Sequence, residues 1–456
     1  MSVSQTKDFA EHQYNKMINT PVSKLIPSLA IPTIISMLVT SIYNMADTFF
    51  VSQINTQASA AVGVVFPIMS IIQAFGFTLG MGAGSLVSLR LGQKRNEEAS
   101  IIVSTAFFTA IGVGCLVCFL GIILSSQILK LIGASQTVLP YATAYAKYIF
   151  FSAPIMTASF VMNNVLRSEG KALFSMIGLT TGGIINIFLD PIFIYVLDLG
   201  ISGAAIATFF SQLISFFILL FCFIRKKTIC RINIKFYSIK KDFLPKIVST
   251  GIPSLSRQGL SSVATILLNT TAGAYGDAAI AGMSITTKIV MFVAGIMIGI
   301  GQGFSPVSGY NYGAKRYDRV KKAYSFTVIS GFIVLGIIST VIFIFARQIM
   351  NSFINDSKAV EIGVAALRWQ ISFIPFHSLI MGTNMLMQST RHIKSATFLS
   401  MNRNGFFFIP SILILPKLLG LQGVEMTQFV ADVFSALVAI PFAIHFFKKI
   451  AKLQNE

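Results

Sequence analysis

The sequence predicts an all-α, polytopic membrane protein of twelve transmembrane helices arranged as two pseudo-symmetric six-helix bundles. Three observations carry that prediction. Only 11% of the 456 residues are charged, against roughly 25% in a soluble globular domain, while 54% are hydrophobic and the mean hydropathy is +0.76. Apolar stretches of about 20 residues or more, nearly free of charge, recur from Leu25 to Phe447, the length a helix needs to cross a bilayer. The second half of the chain then repeats the first, motif by motif. Together these exclude a soluble enzyme and a nucleic-acid binder, despite a formal net charge of +19. Continuous apolar runs, rather than alternating strands of about ten residues, exclude a membrane β-barrel.

Taken in order, the segment from Met1 to Lys24 is polar, lacks the apolar core of a signal peptide and reads as a short cytoplasmic tail. The first six spans follow near 25–54, 58–90, 101–129, 138–168, 171–198 and 200–224. A basic segment, 225–245, separates them from six more near 246–273, 279–311, 322–346, 358–390, 394–417 and 421–447. The predicted organisation is an N-lobe at 1–224, a basic cytoplasmic linker at 225–245 and a C-lobe at 246–456. Cys115 and Cys118 form a C-x-x-C inside the third span, with no second pair or His beside them, and read as small packing residues.

An even number of spans puts both termini on one side, and lysine and arginine choose it. The tail carries Lys7, Lys16 and Lys24, and the next loops on that side carry Arg90, Lys94, Arg95, Arg167 and Lys171. The linker adds Arg225, Lys226, Lys227, Arg231, Lys235, Lys240, Lys241 and Lys246. Lys315, Arg316, Arg319, Lys321, Lys322, Arg391, Lys394, Lys448, Lys449 and Lys452 follow on the same side. The opposite loops hold only Lys130, Arg347, Lys358 and Lys417. Both termini are therefore expected in the cytoplasm, with the net charge a topology signal that also favours unspecific contact with anionic lipid.

The repeat is visible in an ordered set of motifs. Leu29-Ala-Ile-Pro32 opens the first span and Ser249-Thr-Gly-Ile-Pro253 the seventh. The second span carries glycines at 76, 80, 82 and 84, and the eighth carries them at 295, 299, 301 and 303. Pro154 and Asn163 match Pro375 and Asn384 at one offset of 221, and Leu199-Gly-Ile-Ser-Gly-Ala204 returns as Leu419-Gly-Leu-Gln-Gly-Val424. Six helices per repeat make the repeats parallel, with a cleft expected between two bundles, as in alternating-access transporters. The glycines suit close packing where bundles rock, or simply tight helix packing.

Carboxylates inside a bilayer are costly and mark function. At 1.5 Å per residue, Asp47 in the first span and Asp190 in the fifth each lie about 12 Å below the outer end. Tyr145 in the fourth span and Thr208 in the sixth reach the same depth from the other direction, and Asn186 lies one turn from Asp190. A carboxylate withdrawn from water favours proton uptake near neutral pH, whereas amide and hydroxyl oxygens beside carboxylates could instead ligate Na⁺. Pro191 can kink the fifth span there. The second lobe differs, with Arg257, Gln258, Lys288, His377, Glu425 and Asp432. Met291, Phe292, Asn163, Asn384 and Asp432 are the candidates for a substrate cleft, Met and Phe because they form adaptable apolar surfaces.

At Asp47-Thr-x-x-Val51, Arg90-Leu-Gly92, Asn186-x-x-x-Asp190-Pro191 and Gly203-Ala-Ala-x-Ala-Thr208 the chain resembles the multidrug and toxic compound extrusion (MATE) transporters, bacterial multidrug branch. The resemblance covers nearly the whole chain. It implies a V-shaped cleft between two lobes and export of organic, mostly cationic, amphipathic compounds in exchange for H⁺ or Na⁺. It also implies a cation site at Asp47, Tyr145, Asn186, Asp190 and Thr208, with Na⁺ ligands, if Na⁺ is the ion, from Asp47, Asn186, Asp190 and Thr208. A branch with an acidic residue in the seventh span is not matched, because Arg257-Gln258 stands there. The expectation is a monomeric, multi-pass protein of the cell inner membrane, not an enzyme and without cofactor, nucleic acid or resident metal. The alternative is a flippase for lipid or lipid-linked oligosaccharide, with Arg257, Lys288 and Arg403 gripping pyrophosphate.

Overall fold

The computed structural model describes residues 3–225, 227–238, 242–354 and 356–455; Lys226, Lys240, Lys241 and the Lys7 side chain, counted above for topology, lie outside the described residues. The first half comprises α1 (Val3–Asn19), α2 (Val22–Ser52), α3 (Thr56–Gly92), α4 (Asn96–Ile123), α5 (Ser125–Ile132), α6 (Leu139–Ser168), α7 (Ala172–Pro191) and α8 (Gly200–Ile224). The second comprises α9 (Leu244–Gly273), α10 (Asp277–Gly313), α11 (Tyr317–Ile344), α12 (Ala346–Phe353), α13 (Ser357–Phe373), α14 (His377–Ser389), α15 (Ile393–Met401), α16 (Phe408–Leu419) and α17 (Leu421–Asn455). Among the described residues there is no strand. Ten helical stretches of the described residues are long and apolar enough to cross a membrane. Helix α9, and α13 with α14 broken at Pro375, complete two sets of six.

The twofold repeat extends to the ends of individual helices. Helices α3 and α4 begin and end at the same offset of 221 from α10 and α11, Thr56 matching Asp277 and Ile123 matching Ile344. Lys94 (φ 59°) and Lys315 (φ 57°) take the same left-handed turn, and so do Gly170 (φ 79°) and Arg391 (φ 64°). Each of the first two turns is closed by a backbone bond at matching positions, Arg95 N to Arg90 O (2.9 Å) and Arg316 N to Asn311 O (2.8 Å). These bonds satisfy carbonyls that the helix end would otherwise leave open.

Three helices are absent from the reading of apolar runs. The short α5 and α12, related by the same offset, lie within or beyond the expected third and ninth spans and present an apolar side to their neighbours. Helix α1 forms in the polar N-terminal segment, burying Gln13, Met17 and Ile18 on one side. A window that averages hydropathy misses such helices, because their apolar residues follow the helical period without forming a run.

The described chain forms two compact units, Met1–Lys16 with Ile35–Gly251 and Met17–Ile34 with Ile252–Glu456. Helices α2 and α9 therefore change unit part-way, beside Pro32 and Pro253, where the ring removes an intrahelical hydrogen bond. Within the first unit, the start of α9 presses on α3: a Cβ on Gly251 would stand 2.0 Å from Thr78 O, and one on Gly82 2.1 Å from Ile247 O. Within the second, the start of α2 presses on α10 at Gly299 and Gly303, whose Cβ atoms would meet Ile34 and Ala30 backbone at 2.9 and 2.6 Å. The glycines thus act as close-packing points.

Candidate functional site

In the first unit α2, α6, α7 and α8 bring the five depth-matched residues into two hydrogen-bonded groups. Tyr145 Oη on α6 donates to Asp47 Oδ2 on α2 at 3.4 Å. On α7, Asn186 Nδ2 donates to Asp190 Oδ1 at 3.1 Å and approaches Thr208 Oγ1 on α8 at 3.4 Å. The Asp47 carboxylate lies within electrostatic range of Asp190 and of Tyr43, one turn back on α2. Asp190, Asn186 and Tyr145 are buried, and Asp47 is half-buried. Three buried oxygens, Asp47 Oδ1, Asn186 Oδ1 and Asp190 Oδ2, find no partner among the described residues.

Local sequence explains the placement. The spacing Asn186 to Asp190 is one helical turn, so both side chains share a face. Helix α7 ends at Pro191 and continues as a π turn, Ile192–Val196, closed by Leu197 N to Ile192 O at 2.9 Å. Wide turns of this kind inside helices recur at functional sites. Gly183 lets α7 approach α2 closely, since its Cβ would lie 3.0 Å from Tyr43 Cδ1. Tyr43 is the neighbour that depth matching alone did not single out, although it stands one turn from Asp47 in the sequence.

The second unit does not repeat this chemistry. The positions corresponding to Asp47, Tyr145 and Asn186 are Leu268, Ala366 and Phe407, which belong to one apolar cluster. The second π turn, Asn402–Phe406, instead carries Arg403, which grips Asp432 on α17 with Nε–Oδ1 at 2.7 Å and Nη2–Oδ2 at 3.2 Å. Gln428 Nε2 adds a bond to Asp432 Oδ1 at 2.8 Å. Asp432 is therefore charge-compensated, so it offers a cation no free carboxylate. The partnership of Arg403 with Asp432 is not legible in the sequence, because it joins two separate helical segments through space.

Asn163 and Asn384 serve equivalent bonds. Asn163 Nδ2 donates to Ser175 O (3.1 Å) and Asn384 Nδ2 to Ala396 O (2.8 Å), tying the ends of α6 and α14 to the next helix in each repeat. Both are buried, with their amides occupied. Arg257 donates to Asn384 Oδ1 at 3.4 Å. Met291 and Phe292 are exposed, and Met291 lines a cavity in the second unit with Ser261, Thr265, Gln370, Arg403 and Gln428. Among the described residues no group of three or more His, Cys, Asp or Glu is poised to hold a metal, so any Na⁺ would draw on amide and hydroxyl oxygens as well as the two carboxylates.

A family model described as MatE matches residues 32–192 and again 253–413, so the two copies stand at the same offset of 221 as the helices. The multidrug export protein MepA of Staphylococcus saprophyticus is 26% identical over 420 residues, covering 92% of this chain and 93% of that protein. A structure described as the outward-facing conformation of a multidrug resistance MATE family transporter of the MOP superfamily superposes with a TM-score of 0.91 at 26% identity, over 96% of this chain and 98% of that one. A MATE crystal structure in complex with MaL6 gives 0.90 at 28% identity, over 96% and 99%.

Proposed function

The chain belongs to the MatE family, matched in both halves, and from that premise we propose that it is a multidrug efflux transporter: a secondary active antiporter exporting organic, mostly cationic, amphipathic compounds in exchange for H⁺ or Na⁺. Multidrug export by the MepA relatives supports the substrate class. The observation that carries the coupling is the Asp47–Tyr145 and Asn186–Asp190–Thr208 pair of groups, with three buried oxygens in one unit that find no partner among the described residues.

Two carboxylates close together in an apolar bundle repel each other and are costly to hold charged. An entering cation relieves both costs. A proton would neutralise one carboxylate while Tyr145 and Asn186 keep the remaining oxygens oriented. A Na⁺ would take the free oxygens of Asp47, Asn186 and Asp190 together with Thr208. We put H⁺ first, because burial of two neighbouring carboxylates suffices for it. The π turn after Pro191 supplies a flexible joint next to the charge change, so occupancy at Asp190 can shift the outer end of α7.

The reading extends to a multi-pass protein of the cytoplasmic membrane with both termini inside, working as a monomer and without a cofactor. The lipid-cargo alternative is not favoured: Arg403, one of its three pyrophosphate candidates, is occupied by Asp432. The test is transport of a fluorescent organic cation in proteoliposomes with ΔpH and ΔNa⁺ imposed separately. Uptake that follows neither gradient would reject antiport.

A further inference from the structure

The second unit has an open cavity of about 360 Å³ where the loop-side end of α17 meets the turn between α14 and α15. Its walls include His392, Ser395, Phe442, His445, Phe446 and Lys449. Three basic groups thus face one space. Among the described residues none of the three has a carboxylate within ion-pair distance. Within the same set, the hydrogen-bond partner of the His392 ring is Thr390 Oγ1, at 3.1 Å from Nδ1. Burial, with Lys449 and His445 beside it, holds the His392 imidazole below its ordinary range.

The repeat shows what such a corner requires. In the first unit the position of His392 is taken by Lys171 and that of Thr390 by Glu169. There the chain covers its own corner. Glu169 pairs with Lys171 at 3.4 Å and accepts from the backbone of Ile229 and Cys230 at 2.9 and 2.8 Å. Lys171 donates to Lys227 O, and Lys227 Nζ lies over the Phe174 ring at 5.5 Å. In the second unit the acid is replaced by a threonine, and α17 runs on as helix to Asn455 instead of folding back. Among the described residues the corner keeps its bases and has neither the anion nor the cover of its counterpart.

We propose that this cavity binds the headgroup of an anionic phospholipid. The phosphodiester would sit among Lys449, His445 and His392, a basic pocket between membrane helices of the kind that holds acidic headgroups. Phe398, which stacks on Phe442 at 5.6 Å, and Ile444 are 41% and 49% exposed beside it, and offer an apolar path for acyl chains. That continuity with the apolar surface selects a lipid over free phosphate. The assignment rests on the chain spanning a membrane and not on which ion drives transport.

The experiment is native mass spectrometry of the full-length, detergent-purified protein with dioleoyl phosphatidylglycerol, dioleoyl phosphatidylcholine and inorganic phosphate as separate probes. Phosphatidylglycerol should be retained about tenfold more tightly than phosphatidylcholine. That preference should vanish in the His445→Ala, Lys449→Ala double variant and persist in Lys448→Ala, Lys452→Ala, whose lysines lie on the same helix end outside the cavity. Lys449→Gln, which keeps an unbranched polar side chain, reads the same loss should the first double variant fail to fold. Equal retention of the two lipids by the native chain overturns the proposal, as does equal loss in both double variants. Binding of inorganic phosphate without retention of phosphatidylglycerol would make the cavity a small-anion site and overturn the lipid assignment.

Discussion

Asp47, Asp190 and Asp432 are carboxylates inside the membrane-spanning helices with opposite electrostatic situations. Asp47 and Asp190 each leave one buried oxygen without a partner among the described residues, whereas both oxygens of Asp432 are engaged by Arg403. An unpaired buried charge costs free energy, so replacing it with an amide should not destabilise the fold. We expect Asp190→Asn and Asp47→Asn to lose export to background while their thermal melts stay at or above that of the native chain. Asp432→Asn should behave conversely, because it strands the Arg403 guanidinium. Breaking a buried pair from one side costs roughly 3–5 kcal/mol, and the 20% exposure of the Arg403 side chain points to the low end. Thermal melts of the three variants, run beside efflux of a fluorescent organic cation, check both halves. A melt for Asp190→Asn as depressed as that for Asp432→Asn would reject this division of roles.

Individual helices carry two further expectations. Where α9 meets α3 the contact is backbone on backbone, so no rotamer change can accommodate a side chain. Gly251→Val should cost about 1–3 kcal/mol through overpacking. Gly295→Ala on α10 is the control, since a Cβ there meets nothing within 4 Å and the change should leave the melt unaltered. The segment 227–238 is fastened through Glu169, which also accepts Gln13 Nε2 of α1 on its carbonyl at 2.8 Å. Cys230 is fully buried in that contact, and burial beside Glu169 pushes its thiol well above the usual range. Thiol-specific reagents should therefore spare Cys230 in the native chain. Glu169→Ala removes the acceptor for two backbone N–H groups, a local loss of about 1–3 kcal/mol that should raise Cys230 labelling tenfold or more. Unchanged labelling in purified protein would show that the segment is held by its bonds to Ser100, Ser104 and Thr105 instead.

At the scale of the whole molecule the two repeats share a skeleton and divide the chemistry. Turns, asparagine ties and short helices recur at one spacing, yet the carboxylate pair of the first unit gives way in the second to an apolar cluster and a compensated ion pair. Coupling is therefore expected to reside in the first unit. In vesicles, efflux that follows an imposed ΔpH in the absence of Na⁺ is the expected result. Efflux that follows a Na⁺ gradient at symmetric pH and ignores ΔpH would instead assign the ion to Na⁺ and the free oxygens of Asp47, Asn186 and Asp190 to its coordination.

The sequence by itself determined the fold class, the two sets of six helices, the offset of 221 and the five residues that the first unit gathers into two hydrogen-bonded groups. Bilayer length, backbone satisfaction and helical rise are local or periodic constraints, and they are written in order along the chain. It also placed the Asn186–Asp190 pair on one face, because one turn of helix requires it. Only the tertiary structure decided that α2 and α9 change unit at Pro32 and Pro253, that Asn163 and Asn384 spend their amides on helix ties, and that Arg403 neutralises Asp432. Those outcomes depend on which helix faces meet, and a residue's partner across a packed interface is fixed by distance in space rather than by spacing in the chain.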